Sequence, residues 1–280
     1  MKPVRVTTAE GSLVGHEEWP GLVAELAHVV LAAERDRLVL GGLRELANRH
    51  LWLKGDHLPG SARWRYSLRR LAGLPLPRER EARNLQWLRE RLFRAPQPLA
   101  SCVLVRGALV RYQLLVLAPL PEHRPLPDAL AVADPLDRAR WIEELAREVA
   151  RLHALHFVHR DLFLRNVVVG RDPAGTDERE LCFLDAWHAP YARPCRDVAY
   201  DLGCLFLDAV TLFTADELGR WIRLYARERD AQGVPIELTR LLPKAAAHRG
   251  ELVARRNARG GAKVPPEWDW RPFARAGATR

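Results

Sequence analysis

The sequence predicts an α+β chain in two lobes: a small lobe of mixed strands and helices, then a mainly helical lobe carrying one β-hairpin. Three observations predict it. Short strand-like runs and helical stretches alternate through residues 1–118. Four prolines, Pro119, Pro121, Pro125 and Pro127, then mark a hinge. Beyond them the pattern turns to long helices, interrupted by one pair of short strands. The expected boundaries are 1–118 for the first lobe, 119–254 for the second, and 255–280 for a basic, loose tail.

The elements follow in order. Residues 1–15, with VRVTT and then SLVG, are strand material. Pro20 to Glu34 is a helix, because Leu22, Val23, Leu26, Val29, Val30 and Ala33 recur at helical spacing and Pro20 suits its first turn. Arg37–Leu40 and His50–Lys54 read as strands with Gly41-Gly42 between them. Residues 55–77 read as a basic loop. Arg78–Phe93 is a strong helix. Val103–Val105 and Val110–Leu117 pair around Arg106-Gly107. In the second lobe, Asp137–Leu155 is a long amphipathic helix with Trp141, Leu145, Val149 and Leu152 on one face. Val167–Val169 and Leu181–Leu184 form the hairpin. Asp201–Phe213 is an apolar helix, and Asp216–Ala231 and Ile236–Ala247 are two further helices.

Composition narrows the class. The chain has 280 residues, 48% of them hydrophobic and 28% charged, which suits a globular protein able to bury a core without staples. It carries 44 basic against 35 acidic residues, a net charge of +9. Only four of the basic residues are lysines (Lys2, Lys54, Lys244, Lys263), so a lysine here marks a place where the compact ammonium matters. Cys102, Cys182, Cys195 and Cys204 show no CxxC spacing and read as reduced core residues. No secretory signal or membrane span is visible, so a cytoplasmic protein is expected, with membrane contact only at a surface.

Chemistry concentrates at His159-Arg160-Asp161-Leu162-Phe163-Leu164-Arg165-Asn166. An Asp and an Asn five residues apart on a loop can converge with Asp185, at the end of the hairpin's second strand. Oxygen donors from Asn166 and Asp185 suit Mg²⁺, which keeps waters and recruits phosphate oxygens. Asp161 beside them can accept a proton from an attacking hydroxyl. Phosphoryl transfer needs this arrangement.

HRDLFLRN resembles the HRDxxxxN catalytic loop of the protein-kinase-like fold, and Leu184-Asp185-Ala186 sits where that fold carries DFG. Within the fold, LWLKG, RE-REARNLQWLRE, FVHRDLFLRNVVV with LCFLDAWHA, and RDVAYDLGCLF resemble the lipopolysaccharide kinases of the Kdo/WaaP family, over residues 45–225. The resemblance implies ATP and Mg²⁺ as cofactors. It also implies phosphorylation of a sugar in the inner core of lipopolysaccharide, at the cytoplasmic face of the inner membrane. Lys54 would contact the α- and β-phosphates, held by a helix glutamate. Periodicity selects Glu81 over Glu79, because Glu81, Leu85, Leu88 and Leu92 form one stripe while Glu79 shares a face with Arg83 and Gln86. Asp161 would orient and deprotonate the sugar hydroxyl. Asn166 and Asp185 would hold the metal. The hinge Leu115–Leu120, with Leu115, Val116, Leu117 and Ala118 foremost, would offer backbone groups to adenine. Asp201 would brace the catalytic loop, and Arg160 and Arg165 would meet phosphates or stand as loop cations.

Departures from the pattern point away from a regulated protein kinase. No GxGxxG loop is present, and Gly41-Gly42 is a weak substitute. The segment Ala186–Arg196 is short, has no Ser or Thr, and lacks APE. Other readings remain: an aminoglycoside-type small-molecule kinase, an ATP-binding pseudokinase module, or a kinase acting on peptide hydroxyls. Ten arginines in residues 63–94, with Trp64, Tyr66 and Trp87, read as a solvated face or as contact with anionic lipid or acceptor phosphates. No nucleic-acid motif accompanies them. His153, His156 and His159 are spaced by three but straddle a helix end, so packing is expected there rather than metal.

Overall fold

Strand β4 (Arg49–His57) shows how the first part of the chain is built. Leu51 and Leu53 are buried on one face, while Trp52, Lys54 and Asp56 alternate onto the other. The computed structural model describes residues 1–46, 49–171, 179–186, 194–260 and 268–275, and the chain divides into two units, Met1–Pro121 and Glu122–Arg280.

In the first unit, six antiparallel strands run β1 (Lys2–Thr8), β2 (Gly11–Glu17), β5 (Pro98–Arg106), β6 (Leu109–Leu117), β4 and β3 (Leu40–Leu46) across the sheet. Helices α1 (Leu22–Glu25) and α2 (Ala27–Arg35) cover one face, where Leu22, Val23, Leu26 and Val30 pack with Leu51, Leu53, Cys102, Leu114 and Val116. Each such fully buried leucine contributes about 1.5–3 kcal/mol. Helices α3 (Gly60–Leu71) and α4 (Pro77–Glu90) serve the other face. There Leu58, Leu76, Val103 and Val110 form a second cluster. Strand β6 lies between β4 and β5 and is buried on both faces, so it reads as a continuous apolar run rather than an alternation.

Two expectations in this unit are corrected. Arg37–Leu40 is not a strand. Arg37 takes a left-handed φ of 56°, and the N–H groups of Arg37 and Leu38 return to the carbonyls of Glu34 and Ala33, closing α2. The strand begins at Leu40 and contains Gly41 and Gly42, opposite Lys54 and Leu53. Residues 60–71, expected as loop, form α3. Its inward face is Ser67 and half-buried Tyr66 instead of an apolar stripe, which hides the helical period. Ser67 Oγ donates to the Arg63 carbonyl at 2.7 Å and accepts from the Val110 N–H at 2.8 Å, fastening the helix to β6.

The second unit opens inside the proline stretch. Arg124–Pro125 (β7) pairs with β8 (Val167–Arg171), which pairs with β9 (Arg179–Phe183), and α5 spans Leu126–Val132. Helix α6 (Pro135–Ala154) starts where the Asp134 carboxylate accepts from the N–H groups of Leu136 and Asp137, both at 2.9 Å. It buries Trp141, Leu145, Val149 and Leu152 on one stripe. Helices α7 (Pro194–Leu212), α8 (Ala215–Ala231) and α9 (Leu238–Ala258) complete the core. Gly203 lets α7 and α9 close together, because a Cβ there would stand 2.8 Å from the Cβ of His248. Helix α9 continues to Ala258, and Trp268 then packs on Phe206 at 4.7 Å, where a loose tail from residue 255 was expected. Cys102, Cys182 and Cys204 are buried, and burial pushes the Cys102 thiol up to about 12.

Candidate active site

Lys54 and Glu81 meet in the first unit. The two-residue alternation of β4 turns Lys54 toward α4, and the 3.6-residue period of α4 turns Glu81 inward with Ala82, Leu85 and Leu88. Lys54 Nζ donates to Glu81 Oε1 at 2.8 Å, and the Glu81 side chain is fully buried. Glu79 does something else. Its Oε2 accepts the Leu76 N–H at 2.9 Å and caps the start of α4.

Sequence reasoning missed the residues around this pair. Arg78 Nη1 donates to Glu81 Oε2 at 2.7 Å, while its Nε and Nη2 reach Asp56 at 2.8 and 3.1 Å. Gln113 Nε2 also donates to Asp56, at 3.1 Å, and Gln113 Oε1 accepts the Arg78 main-chain N–H at 3.3 Å. The forked guanidinium thus joins α4 to β4, and Gln113 ties both to β6. Burial alone would lower the pKa of Arg78, but the hydrogen bonds to Asp56 and the charge of Glu81 outweigh it and raise it. The signals were present: Asp56 lies two residues beyond Lys54 on a strand, and Arg78 three before Glu81 on a helix.

In the second unit the HRD loop is pinned from behind. Asp201, fully buried on α7, accepts the main-chain N–H of His159 at 2.6 Å and of Arg160 at 2.5 Å. These bonds hold Arg160 at a φ of 61°, a left-handed conformation that costs a non-glycine residue about 1 kcal/mol. His153 on α6 joins the cluster, 3.2 Å from Asp201 through Nε2 and 2.7 Å from the Tyr225 hydroxyl through Nδ1. His153 is therefore a packing and hydrogen-bonding residue. Among the described residues no group of three or more His, Cys, Asp or Glu could hold a metal ion.

Asn166 ends a short 3-10 turn (Leu164–Asn166) that leads into β8. Its Nδ2 donates to the Asp161 carbonyl and to Asp161 Oδ2, both at 2.8 Å. The amide spends its N–H groups on Asp161, so Oδ1 is the atom that can ligate a cation. The Leu184 N–H donates to the Asn166 carbonyl at 2.8 Å, and Asp185, the next residue, leaves the strand at a φ of 58°. Amide and carboxylate oxygens are hard donors, so the chemistry of Asn166 and Asp185 fits a magnesium ion that arrives with phosphate oxygens and water. Arg160 Nη2 pairs with Asp197 at 3.0 Å, and Arg165 stacks over the Phe163 ring at 4.1 Å.

The hinge expectation needs correction. Leu115, Val116 and Leu117 lie within β6 and are paired on both sides, with β4 and with β5. The Ala118 N–H donates to the Gln97 carbonyl at 2.9 Å. Pro119 and Pro121 have no N–H, so Leu120 carries the one backbone donor between Ala118 and Glu122. Residues 187–193, the larger part of the short Ala186–Arg196 segment, lie outside the described residues.

An antiparallel sheet followed by a helical unit, with an HRDxxxxN loop clamped onto the helix behind it, is the architecture of the protein-kinase-like phosphotransferases. The profile of the Lipopolysaccharide kinase (Kdo/WaaP) family matches residues 34–197, more than half of the chain, and the chain belongs to that family. Among solved structures it is similar to WaaP in complex with acyl carrier protein, at 19% identity and a TM-score of 0.51, covering 79% of this chain and 91% of that one. It also matches a protein provisionally named an aminoglycoside phosphotransferase from Ralstonia eutropha JMP134, at 15% identity and a TM-score of 0.48, over 99% of this chain and 91% of that one. No curated protein matches the sequence. The chain is a phosphotransferase of kinase-like fold. Among the described residues no helix is long and apolar enough to cross a membrane.

Proposed function

We propose that the chain transfers the terminal phosphoryl group of Mg-ATP to a sugar hydroxyl, on heptose or Kdo, of the lipopolysaccharide inner core. The observation that carries the reading is the Asp161–Asn166 bond at 2.8 Å on a loop braced by Asp201. It fixes a carboxylate beside an amide oxygen, which is what a base and a metal ligand in one site require. Membership of the lipopolysaccharide kinase family supports the acceptor class.

Asp161 orients the acceptor hydroxyl and takes its proton as the acceptor oxygen bonds to the terminal phosphorus and the nucleoside diphosphate leaves. Asn166 Oδ1 and the Asp185 carboxylate would hold a magnesium ion, which would supply positive charge against the phosphate oxygens. Lys54 binds the inner phosphates, and Glu81 keeps its ammonium in place. The Ala118 carbonyl and the Leu120 N–H receive the base. The protein works at the inner face of the inner membrane, where this acceptor is built.

The test is incubation of the purified protein with ATP, Mg²⁺ and dephosphorylated inner-core lipopolysaccharide, read by mass spectrometry. A phosphate added to heptose or Kdo, and absent with Asp161→Ala, is expected. Transfer to aminoglycosides alone would replace the acceptor assignment. Tight Mg-ATP binding without turnover on any acceptor would make the chain a binding module.

A further inference from the structure

Helix α3 is built inside out. Its folding contacts use Ser67, half-buried Tyr66 and the Arg63 Nε bond to the Leu58 carbonyl. Its large apolar residues face solvent instead: Trp64 is 62% exposed, Leu68 63% and Leu71 75%, and Leu74 just beyond the helix is 50% exposed. Trp64, Leu68 and Leu71 are spaced four and three apart, so they form one stripe along the outer side. A contiguous apolar stripe left outside a folded unit marks an interaction surface.

Charge identifies the partner. Helix α3 holds Arg63, Arg65, Arg69 and Arg70 and no acidic residue, and no Asp or Glu occurs between Asp56 and Glu79. Exposed Arg65 flanks the stripe, with its guanidinium over the Tyr66 ring at 4.9 Å. Arg69 and Arg70 are half-buried, and Arg69 Nη2 donates to the Pro75 carbonyl at 3.2 Å, so exposed Arg65 is the arginine that faces a surface most directly. A helix with an apolar stripe, a tryptophan on it and arginines beside it has the composition of one lying in a lipid interface. An anionic headgroup layer is complementary to the arginines, and the acyl boundary accepts the leucines.

We propose that α3, through Trp64, Leu68 and Leu71 with Arg65 alongside, seats the protein on an anionic phospholipid bilayer. The helix lies flat in the headgroup layer and does not span it. Such seating would bring the first unit to the surface that displays a lipid-bound acceptor, so the proposal deepens the lipopolysaccharide reading. It is tested without acceptor or ATP, and so stands or fails apart from that reading.

The experiment is flotation of the full chain with vesicles of phosphatidylcholine alone and of phosphatidylcholine with 30% phosphatidylglycerol, at low and high salt. Wild type is expected to float with the anionic vesicles and to detach as salt rises, since each basic residue near such a surface strengthens binding roughly fivefold. Leu68→Ser with Leu71→Ser is expected to weaken partition about tenfold or more while far-UV circular dichroism and the urea-denaturation midpoint hold. Arg65→Ser is expected to weaken it roughly fivefold on anionic vesicles and not on neutral ones. Failure of wild type to float at low salt overturns the proposal. So does equal flotation of the double variant, or equal binding to neutral vesicles. If sedimentation shows wild type dimerising and the double variant monomeric, with no vesicle binding by either, the stripe belongs to a second copy and the proposal falls.

Discussion

Arg78 grips Glu81 by the oxygen that Lys54 leaves: its Nη1 lies 2.7 Å from Oε2, while Lys54 Nζ lies 2.8 Å from Oε1. A fully buried carboxylate carries one charge, and two cations share it. Asp56, paired to the far side of Arg78, restores the balance. The pairing of Lys54 and Glu81 is therefore tied into the first unit by contacts from β4, α4 and β6.

Removing the guanidinium should be felt in stability before it is felt in chemistry. Arg78→Met leaves Asp56 without its bidentate partner and Glu81 with only one. Because Arg78 and Asp56 are 20% and 30% exposed, the loss is expected at about 2 kcal/mol, below the full cost of breaking a buried pair. Urea denaturation measures it. Arg78→Lys, which keeps the charge without the fork, is expected to recover less than half.

Asp161→Asn keeps the size of the side chain and removes the proton acceptor. Turnover is expected to fall by about 10³-fold, with ATP affinity changed less than about threefold. Steady-state kinetics with a nucleotide titration read both. A variant with wild-type turnover would remove Asp161 from the role of base.

Asp185→Asn replaces the carboxylate proposed to hold magnesium with an amide. Mg²⁺-dependent binding of ATP is expected to weaken by about tenfold or more, and binding without Mg²⁺ to change little. Titration of a fluorescent ATP analogue at several magnesium concentrations checks this. Equal affinity at every concentration would take the metal away from Asp185.

Asp201 carries two buried main-chain N–H groups and the strained backbone of Arg160. Asp201→Ala orphans both donors and is expected to cost about 3 kcal/mol in a urea melt. Asp201→Asn retains one acceptor and is expected to cost less.

Acid should release the start of α8. The hydrogen bonds from Arg138, at 2.7 and 3.1 Å, hold the Glu217 carboxyl below its ordinary value, with the capping bond from the Thr214 N–H to Oε2 adding to them. A lowered folded-state value means that this stability is present above the usual carboxylate range and is lost as pH falls through the lowered value. Glu217→Gln is expected to cost about 1 kcal/mol at pH 7, and the difference from wild type to shrink on acidification. Thermal melts from pH 7 to pH 3 measure the convergence.

Legibility in the sequence followed packing. Glu81 could be chosen over Glu79 because its neighbours on the stripe, Leu85 and Leu88, are the buried leucines of α4. The helices of the second unit were visible because their apolar faces are their folding faces, as Trp141 and Val149 show on α6. Helix α3 was hidden for the opposite reason: it folds on Ser67 and turns its leucines outward. The Arg78–Asp56–Gln113 network was invisible because a polar side chain's partner is chosen in three dimensions. Arg78 is one of ten arginines in its stretch, and only the sheet register brings Gln113 alongside Asp56. Leu115, Val116 and Leu117, expected as part of a hinge, lie in β6, because an unbroken apolar run does not show which of its residues the sheet claims.

If the strip proposed above receives the base, the two prolines around Leu120 bear on the choice of nucleotide. A strip that offers a carbonyl and then a single amide suits adenine, whose exocyclic amino donor lies beside a ring-nitrogen acceptor, and mismatches guanine, which presents an oxygen where adenine presents the amino group. Discrimination between ATP and GTP would then rest on one N–H, and a proline at position 120 would erase that preference without altering a single group that faces the phosphates.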